Sequence, residues 1–530
     1  MQANRRAVLG ALAGLAAAPR AAAAAQRVLG RRALAAAARG GSLVLEEGRR
    51  GGVFVWSPGD MSQRVHADPL QGILVPPARD PSGRSGAWVR ERAGVVRVDW
   101  FGAMGDGRTN DTDAINAAGL FVEFEGGGTL AFSRATYVVG REEYVPGMAS
   151  PFRAWEVVAI RGCRRKVTID GGGATLRTAP GLRFGSFDPA TGRPREVKLP
   201  FSDGRYQATP FQAAIFLDKN TGGVEVRDIE IDGAIAEARI GGQWGDVGWQ
   251  IPNHGLHLNG NSGTHVVRNV HAHHLGCDGM MLLSVVRSDA EPPVPTLIED
   301  CRFEYNGRQG VSVLGGKGIT FRRCKFRYTG RNGRVRSNPG AGLDLEAEIG
   351  IIRDVILQDC EFDANSGSGL GADSGDTARV TCHRCKFIGA FNFALYPNKP
   401  DMVFRDCVVV GSAAGFFNDP TGRHAPKFYN CRFSDDPALS VAAKVYEWPV
   451  ELGSSKGTLF SDCDFTYRKI ALPNAQFGTF FHNVRMSSPA PGMAQLNGTF
   501  SGTNLINGGA NIVASKFKGR VVHNGRVLSP

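Results

Sequence analysis

A short motif of cysteine and phenylalanine recurs through the C-terminal half of the chain. Seven of the ten cysteines occupy the same position in it, at steps of 23, 36, 25, 22, 24 and 32 residues. A further apolar residue stands three positions before each of these cysteines. The seven cysteines of the motif are Cys301, Cys324, Cys360, Cys385, Cys407, Cys431 and Cys463.

Self-similarity at this period predicts a solenoid built from stacked coils. Leucine-rich repeats have a similar period, but they need an L-x-x-L-x-L pattern and helical returns. Here Gly, Asn and Thr separate alternating apolar positions, which is typical of strands. Glycine supplies 70 of the 530 residues, as many tight turns require. We therefore predict an all-β chain whose coils pair in parallel, about 4.8 Å apart, with like residues stacked on like.

The repeat also predicts the state of the cysteines. A position that recurs with the coil and points inward suits a small buried hydrophobe, so we expect free thiols. Cys382 and Cys385 form a C-x-x-C pair, which is compatible with a metal or redox role. Cys382, however, stands where other coils place Ile298 and Phe321, so a core position is the preferred interpretation.

A segment near the N-terminus carries a family resemblance. Residues 98–115 read VDWFGAMGDGRTNDTDAI, followed by GGGTLAF at 126–132 and by Thr136 and Tyr137. This pattern resembles the start of the pectate-lyase-like superfamily, which includes polygalacturonases. Over residues 95–475 the resemblance implies a right-handed parallel β-helix, with a short N-terminal capping helix that begins near Asn110, Asp111 and Thr112 and plugs the open end. The superfamily contains hydrolases, lyases, epimerases and tailspike parts, so the resemblance does not define a reaction.

The chain divides into four predicted segments. Arg5 and Arg6 precede a small-residue apolar stretch and an A-x-A site, so residues 1–25 read as a signal peptide of the twin-arginine type. Residues 26–94 resemble a small lead-in domain, residues 95–475 form the β-helix, and residues 476–530 form terminal coils and a C-terminal cap. We therefore expect a periplasmic or secreted protein.

The net charge and hydropathy of the chain limit the classes of partner that we expect it to bind. The formal net charge is +12, and loss of residues 1–25 would leave +9, because three arginines and no acids lie there. A basic chain favours anionic partners. No Lys/Arg-rich block or nucleic-acid motif is present, so we expect no nucleic acid. No apolar run of 18 residues follows the N-terminus, so we expect no membrane span. The expected partner is a polysaccharide, bound by a monomer or, alternatively, by a trimer.

A second repeated frame, Gly-apolar-x-apolar-x, predicts the functional face. The x positions alternate outward from one sheet and stack from coil to coil. Carboxylates concentrate on two neighbouring coils, and we predict Asp344, Glu346 and Asp373 as the catalytic set. The predicted substrate-binding residues in or beside the same strip are His257, Asp278, Gln309 and Tyr396.

Glycoside hydrolysis needs two carboxyl groups. Asp344 and Glu346 would be roughly 6.5–7 Å apart at the backbone, which suits an inverting enzyme. Glu346 and Asp373, on adjacent coils, would be about 5 Å apart, which suits a retaining enzyme. Two other interpretations stay open: solvated surface acids, and a Ca²⁺ site. A hydrolase would need no cofactor, whereas a lyase would use Ca²⁺ on these carboxylates.

The polygalacturonase residues cannot be transferred to this chain. That family carries Asn-Thr-Asp, Asp-Asp, His-Gly and Arg-x-Lys in this order, but here the His254-Gly255 pair precedes Cys277-Asp278. We predict a hydrolase of an acidic, uronate-containing polysaccharide, with a lyase or epimerase as one alternative and a non-catalytic glycan-binding or tailspike-like protein as another. The basic residues that could hold uronate carboxylates are Arg308, Lys317, Arg322 and Arg331.

Four histidines cluster at His265, His271, His273 and His274. A metal site there would need a carboxylate or a third imidazole from another coil. Without such a partner, the run is a polar coil surface.

Overall fold

The computed structural model describes residues 26–195, 207–242, 250, 251, 253–453, 455–512 and 515–529. The signal peptide predicted for residues 1–25 lies outside this range. The chain forms two compact units. Among the described residues, the first unit holds 26–65 together with 74–91, and the second holds 66–73 and those from 92 to 529.

The first unit is a small sheet with its own core. Its five described strands run in the order β1-β2-β3-β5-β4, and β1 and β2 pair in parallel while the rest are antiparallel. Leu34, Phe54 and Trp88 are fully buried in its core. Its elements are β1 Gln26–Val28, α1 Arg31–Ala36, β2 Ser42–Leu45, β3 Gly52–Ser57, α2 Ser62–His66, β4 Leu74–Val75 and β5 Ala87–Arg90.

The second unit is a parallel solenoid. Its N-terminal elements are β6 Val95–Arg97, α3 Val98–Phe101, β7 Asp106–Asn110, α4 Thr112–Phe124, β8 Gly128–Ala131, β9 Thr136–Val139, β10 Glu142–Tyr144, β11 Phe152–Ala154, β12 Val158–Arg161, β13 Val167–Thr178, β14 Arg183–Ser186, β15 Gln207–Ala208, β16 Ala213–Asp218, β17 Val224–Asp232 and β18 Arg239–Gly241.

The central coils contain the long strands of the solenoid. They are β19 His254–Asn259, β20 His265–His273, β21 Met280–Leu283, β22 Thr296–Glu299, β23 Arg302–Glu304, β24 Val311–Arg322, β25 Lys325–Arg327, β26 Leu343–Gln358, β27 Glu361–Asp363, β28 Leu370–His383, β29 Lys386–Ile388, β30 Leu395–Pro397, β31 Met402–Arg405 and β32 Val408–Val410.

The C-terminal coils are built from shorter strands. They are β33 Lys427–Tyr429, β34 Arg432–Ser434, β35 Glu451–Gly453, β36 Leu459–Ser461, β37 Asp464–Thr466, β38 Asn474–His482, β39 Arg485–Ser487, β40 Ala494–Ser501, β41 Thr503–Asn507, β42 Ala510–Asn511, β43 Lys516–Phe517, β44 Arg520–His523 and β45 Arg526–Ser529.

Parallel pairing arranges the central coils into three faces. Face A contains β12, β16, β19, β21, the first halves of β24, β26 and β28, and β30. Face B contains the first halves of β13, β17 and β20, then β22 and the second halves of β24, β26 and β28. Face C contains the second halves of β13, β17 and β20, then β23, β25, β27 and β29.

The cysteine motif marks the corner between faces B and C. All ten cysteines lie in the described residues, and all are buried and free, which confirms the prediction. The residue before each motif cysteine turns the chain with a left-handed backbone, φ being 55° at Asp300 and 54° at Asp359. Asp and Asn tolerate this conformation better than other non-glycine residues. Phenylalanines stack inside, for example Phe326 on Phe362 at 4.5 Å between ring centroids.

Helix α4 is the predicted N-terminal cap. It buries Ile115, Phe121 and other apolar residues of one face and packs on β12. The Asn110 side chain accepts a hydrogen bond from the Thr112 backbone N–H at 3.1 Å, while the Asp111 carboxylate holds the backbone of the preceding turn at Met104. The fold class predicted from the sequence, an all-β solenoid with a capping helix, is therefore confirmed. Among the described residues, no helix has the length and apolar character needed to cross a membrane.

Candidate functional site

One outward column of face A brings several predicted site residues into line. Cross-strand register stacks six positions from successive coils, in the order His257, Met281, Ser312, Asp344, Gly371 and Tyr396. The Gly-apolar-x frame placed the first five of these residues in the same order, and Tyr396 was predicted at or beside the same strip. The column therefore runs along the solenoid axis, with the acidic coil between its two ends.

The next column differs from the expected stack. Register shifts make Leu283 face Gly315 and make Glu346 face Ser374, so Asp373 is not the partner of Glu346. Leu283 is buried instead of pointing outward. The predicted pairing of Glu346 with Asp373 is wrong because irregularities insert extra residues into β24, β26 and β28, and such insertions break the strict alternation of strands.

Asp344 and Glu346 form a carboxyl pair that is bridged by the side-chain amide of Gln309. The Nε2 atom of Gln309 donates to Asp344 Oδ2 at 2.8 Å and to Glu346 Oε2 at 3.3 Å. Ser312 Oγ donates to the same Glu346 oxygen at 3.3 Å. Asp344 and Gln309 are buried, Glu346 is half-buried, and Asp373 is exposed. The pair thus has one member beneath the surface and one that reaches it.

The environment of Asp344 favours its protonated form. Burial raises the pKa of its carboxyl well above the ordinary value, and the negative charges of Glu346 and Asp373 raise it further. Arg308 opposes this shift without cancelling it. A proton on Asp344 also provides a donor between two carboxyl groups that otherwise only accept. Asp344 is therefore the member of the pair that favours a proton.

Gly371 leaves room for the Asp344 carboxyl. It is the cross-strand partner of Asp344, and a Cβ atom at this position would lie 3.0 Å from Asp344 Oδ1. That contact is shorter than an ordinary van der Waals distance. A side chain at position 371 would therefore press on the carboxyl pair, so glycine here keeps Asp344 in place.

Arg308 and Asp278 form a buried ion pair next to the carboxyl pair. Arg308 Nε and Nη2 donate to Asp278 Oδ1 and Oδ2 at 2.9 and 3.0 Å. Arg308 Nη1 donates to Gln250 Oε1 at 2.7 Å. Asp278 is fully buried, so it holds Arg308 and does not reach a polymer at the surface. Burial raises the pKa of Asp278, but Arg308 and His254 outweigh this effect and lower it to about 2.

His257 and Tyr396 lie towards the two ends of the column. Burial and the neighbouring His254 lower the pKa of His257 to about 4, so its imidazole is neutral near pH 7. Its ring packs 5.1 Å from the ring of Phe216. Tyr396 is half-buried and packs on the backbone of Gly415, where a Cβ atom would overlap the phenol ring.

One group at this face has the atoms of a metal site. His254, Cys277 and Asp278 place one ligand atom each within 4.8 Å of one another. Arg308 already binds both carboxylate oxygens of the fully buried Asp278 there, so a cation would have to displace a guanidinium from the whole carboxylate. Within the described chain, Asp344, Glu346 and Asp373 do not form such a group of three.

Sequence reasoning missed parts of this arrangement. It named Arg308 as a candidate for substrate binding without a position, and in the structure its guanidinium is held by Asp278, Gln250, Gln309 and Ser312. The other suggested cations lie elsewhere: Lys317 binds backbone carbonyls of the loop at 289–291, Arg322 pairs with Glu299, and Arg331 stacks over Phe391. The sequence did carry a signal for the role of Gly371, because the Gly-apolar-x frame places it in the same column as Asp344.

These features define a right-handed parallel β-helix protein. Residues 254–433 match the family model described as "right handed beta helix region". No curated protein matches the chain.

Solved structures with similarity to the chain include three proteins of low sequence identity. The Azotobacter vinelandii mannuronan C-5 epimerase AlgE4 A-module is 12% identical, with 80% of this chain and 97% of that chain covered and a TM-score of 0.41. The tailspike protein gp49 of Acinetobacter baumannii bacteriophage Fri1, a capsular polysaccharide depolymerase, is 13% identical, with 96% and 76% covered and a TM-score of 0.39. The N-terminal fragment of bacteriophage Phi29 gene product 12 is 14% identical, with 81% and 72% covered and a TM-score of 0.42.

Proposed function

We propose that this chain is an exported, periplasmic or secreted enzyme that hydrolyses an acidic polysaccharide at face A. The observation that carries this proposal is the carboxyl pair of Asp344 and Glu346, in which burial and the neighbouring acids raise the pKa of Asp344 next to the exposed Asp373. A proton held beside a free carboxylate is what general acid–base hydrolysis of a glycosidic bond needs.

Each carboxyl group has a role in this proposal. The proton of the Asp344–Glu346 pair passes to the glycosidic oxygen through Glu346, which reaches the surface. Asp373 is the exposed carboxylate that activates water or attacks the sugar. Gln309 holds both members of the pair through one amide nitrogen. Arg308, kept in place by Asp278, adds a fixed positive charge below the site.

The length of the column fits a polymer. His257 and Tyr396 are five coils apart, which corresponds to about 24 Å along the solenoid axis. Both side chains offer a ring near the surface that could pack against a sugar. The net charge of +12 favours an anionic chain, so uronate-containing polymers are the proposed substrates. We propose a monomer as the active form, with a trimer as the alternative.

A lyase or epimerase of the same fold is the second candidate. It would use Ca²⁺ on the carboxylates to acidify the proton beside a uronate carboxyl group. Two observations weigh against it: Asp344 favours a proton over a free charge, and in spite of burial, pairing with Asp278 raises the pKa of Arg308, so Arg308 is a poor base. The hydrolytic route requires no cofactor. A non-catalytic glycan-binding protein, tailspike-like in its use of the fold, is the third candidate.

The test is mass analysis of products after incubation with a panel of plant and bacterial polyuronates. The expected products are saturated oligosaccharides, and Asp344→Asn, Glu346→Gln and Asp373→Asn should each lower kcat by about 10²–10⁴-fold. Asp376→Asn is the matched control: it lies on the same strand but pairs with Arg353, and it should keep full activity.

Other outcomes identify the competing functions. Products one water lighter, formed only with Ca²⁺, would mean elimination, and a changed uronate without chain cleavage would mean epimerisation. Full activity in both Asp344→Asn and Asp373→Asn would refute the carboxyl assignment. Binding of a polyuronate without any turnover would make the chain a glycan-binding protein.

A further inference from the structure

A second polar cluster lies on face C, away from the carboxyl pair. The second half of β20 presents His271 and His273 outward, and the neighbouring coils present Glu230 and Asp232 on one side and Glu304 on the other. The sequence left open whether carboxylates from other coils reach these histidines. The structure brings them there, since His273 Nε2 lies 2.9 Å from Glu230 Oε1.

We propose that Asp232, His273 and His274 form a binding site for a divalent transition metal ion of the Zn²⁺ class. The Nδ1 atoms of His273 and His274 are 2.7 Å apart, and His273 Nδ1 is 3.7 Å from Asp232 Oδ1. Ligand atoms about 2.0–2.1 Å from a tetrahedral Zn²⁺ are separated by roughly 3.3 Å. Small side-chain rotations would therefore place all three atoms around one ion.

The second ring nitrogen of His273 is arranged as metal sites require. Its Nε2–H donates to the Glu230 carboxylate at 2.9 Å, and this fixes the tautomer in which Nδ1 carries a lone pair. That lone pair points to the atoms of His274 and Asp232. A carboxylate that holds the far nitrogen of a metal-binding imidazole is a common feature of zinc sites, and it strengthens the ligand.

The backbone at His274 explains how two adjacent histidines can share one ion. Neighbouring residues of a strand point to opposite faces, which would separate their rings. His274 follows β20 with a left-handed backbone, φ 51°, and its ring is turned back beside that of His273. The ring is fixed there by stacking on Tyr305 at 4.9 Å, and Tyr305 stacks in turn on Tyr328 at 4.5 Å.

Asp232 is also held in position. Its Oδ2 accepts from Arg177 Nε at 3.2 Å, and its Oδ1 accepts from the Ala234 backbone N–H at 2.9 Å. Its side chain is 21% exposed and that of His273 is 12% exposed, so an ion can enter from solvent. Two imidazoles and one carboxylate suit Zn²⁺ better than Ca²⁺ or Mg²⁺, which prefer oxygen ligands.

The test is calorimetric titration of ZnCl₂ into tag-free full-length protein that has been stripped with EDTA. One Zn²⁺ per folded chain is expected, with a rise in Tm on binding. His274→Gln and Asp232→Asn should each weaken binding by at least tenfold and remove the Tm rise. Glu230→Gln should weaken it by about 10–100-fold, because it only orients His273.

Two controls separate this site from other sources of binding. His424→Gln removes an exposed histidine that pairs with Asp401, and it should bind Zn²⁺ like the unaltered chain. His271→Gln should also bind normally, because His271 belongs to a different group of ligand atoms with Glu230. The proposal is overturned if the unaltered chain binds no Zn²⁺, if His274→Gln binds it unchanged, or if His271→Gln abolishes binding.

Discussion

At the scale of single residues, the pKa values of two buried carboxyls of face A are shifted in opposite directions because their neighbours differ. Asp278 faces the Arg308 guanidinium, and its pKa falls to about 2 in spite of burial. Asp344 faces two further acids, Glu346 and Asp373, and its pKa rises well above the ordinary value. Environments that push the pKa values of nearby carboxyls apart are typical of acid–base sites.

Removal of the Asp278 charge should destabilise the protein. Asp278→Asn leaves Arg308 buried without its partner, and we expect a loss of about 3–5 kcal/mol in the free energy of unfolding. Urea unfolding at neutral pH measures this loss. Asp359→Asn is the matched control, because its pair with Arg384 is solvent-exposed and should be worth about 1 kcal/mol at most. Equal effects of the two substitutions would contradict the buried-pair account.

Asp344 should make the free energy of unfolding fall as the pH rises, whereas an ion-paired acid makes it rise. Its folded pKa lies above the unfolded value of 3.8, so the stability it contributes is present below that pH and is lost as the pH rises through the folded pKa. Asp344→Asn removes this dependence. The free energy of unfolding of the unaltered chain, relative to Asp344→Asn, should therefore fall as the pH rises above about 4. Unfolding curves at several pH values test this, and a constant difference would count against it.

At the scale of elements, the corner between faces B and C is held by an outer polar ladder as well as by the buried cysteines. The left-handed residues of successive coils are hydrogen-bonded to one another, with Arg323 on Asp300, Arg384 on Asp359 and Asn430 on Asp406. Each pair places a donor over a carboxylate from the coil below. Stacking of like charges at about 4.8 Å is thereby avoided, and the tight turn is stabilised.

The capping helix α4 offers a stabilising substitution. Gly119 lies in the interior of the helix, and a Cβ atom there would meet only Ile160 Cγ1, at an ordinary contact distance of 3.9 Å. Gly119→Ala should raise the free energy of unfolding by about 0.5–1 kcal/mol, because alanine loses less backbone entropy in a helix. Thermal unfolding measures the change. Gly255→Ala is the contrasting variant and should destabilise, since its Cβ would lie 2.5 Å from the Gly279 carbonyl oxygen.

At the scale of the whole molecule, stacked apolar ladders form the core of the solenoid. They stabilise the fold, as disulfides do in many exported proteins. Each motif cysteine points its Sγ atom at backbone carbonyls inside, as Cys324 does towards Ile298 O at 3.4 Å. Burial raises the pKa of the Cys324 thiol well above its ordinary value, so it is a poor nucleophile.

Because all ten thiols are buried, they should react slowly in the folded chain and should all be present after unfolding. A thiol reagent added in guanidinium chloride should titrate ten thiols per chain, whereas the native protein should react only at the rate of unfolding. The measurement is the number of thiols titrated per chain in the absence of reductant. A titre well below ten would mean that disulfides form, and it would contradict the buried-ladder interpretation.

The sequence by itself determined the solenoid, the free cysteines, the capping helix and the order of residues along one column of face A. These features depend on local period and on the identity of residues in a repeated frame, which are both visible in the chain. The Gly-apolar-x frame was sufficient to put His257 and Asp344 in one line, whereas Tyr396 was predicted only at or beside it.

Only the tertiary structure decided which side chains meet. Register shifts moved Glu346 opposite Ser374 instead of Asp373, and side-chain contacts between neighbouring coils joined Arg308 to Asp278 and His273 to Glu230. The physical reason is that a single inserted residue reverses the side-chain direction of everything after it in a strand, while side-chain contacts between coils depend on distances of a few ångströms. The repeat period determines how the coils stack, but it does not determine where residues are inserted or which side chains touch.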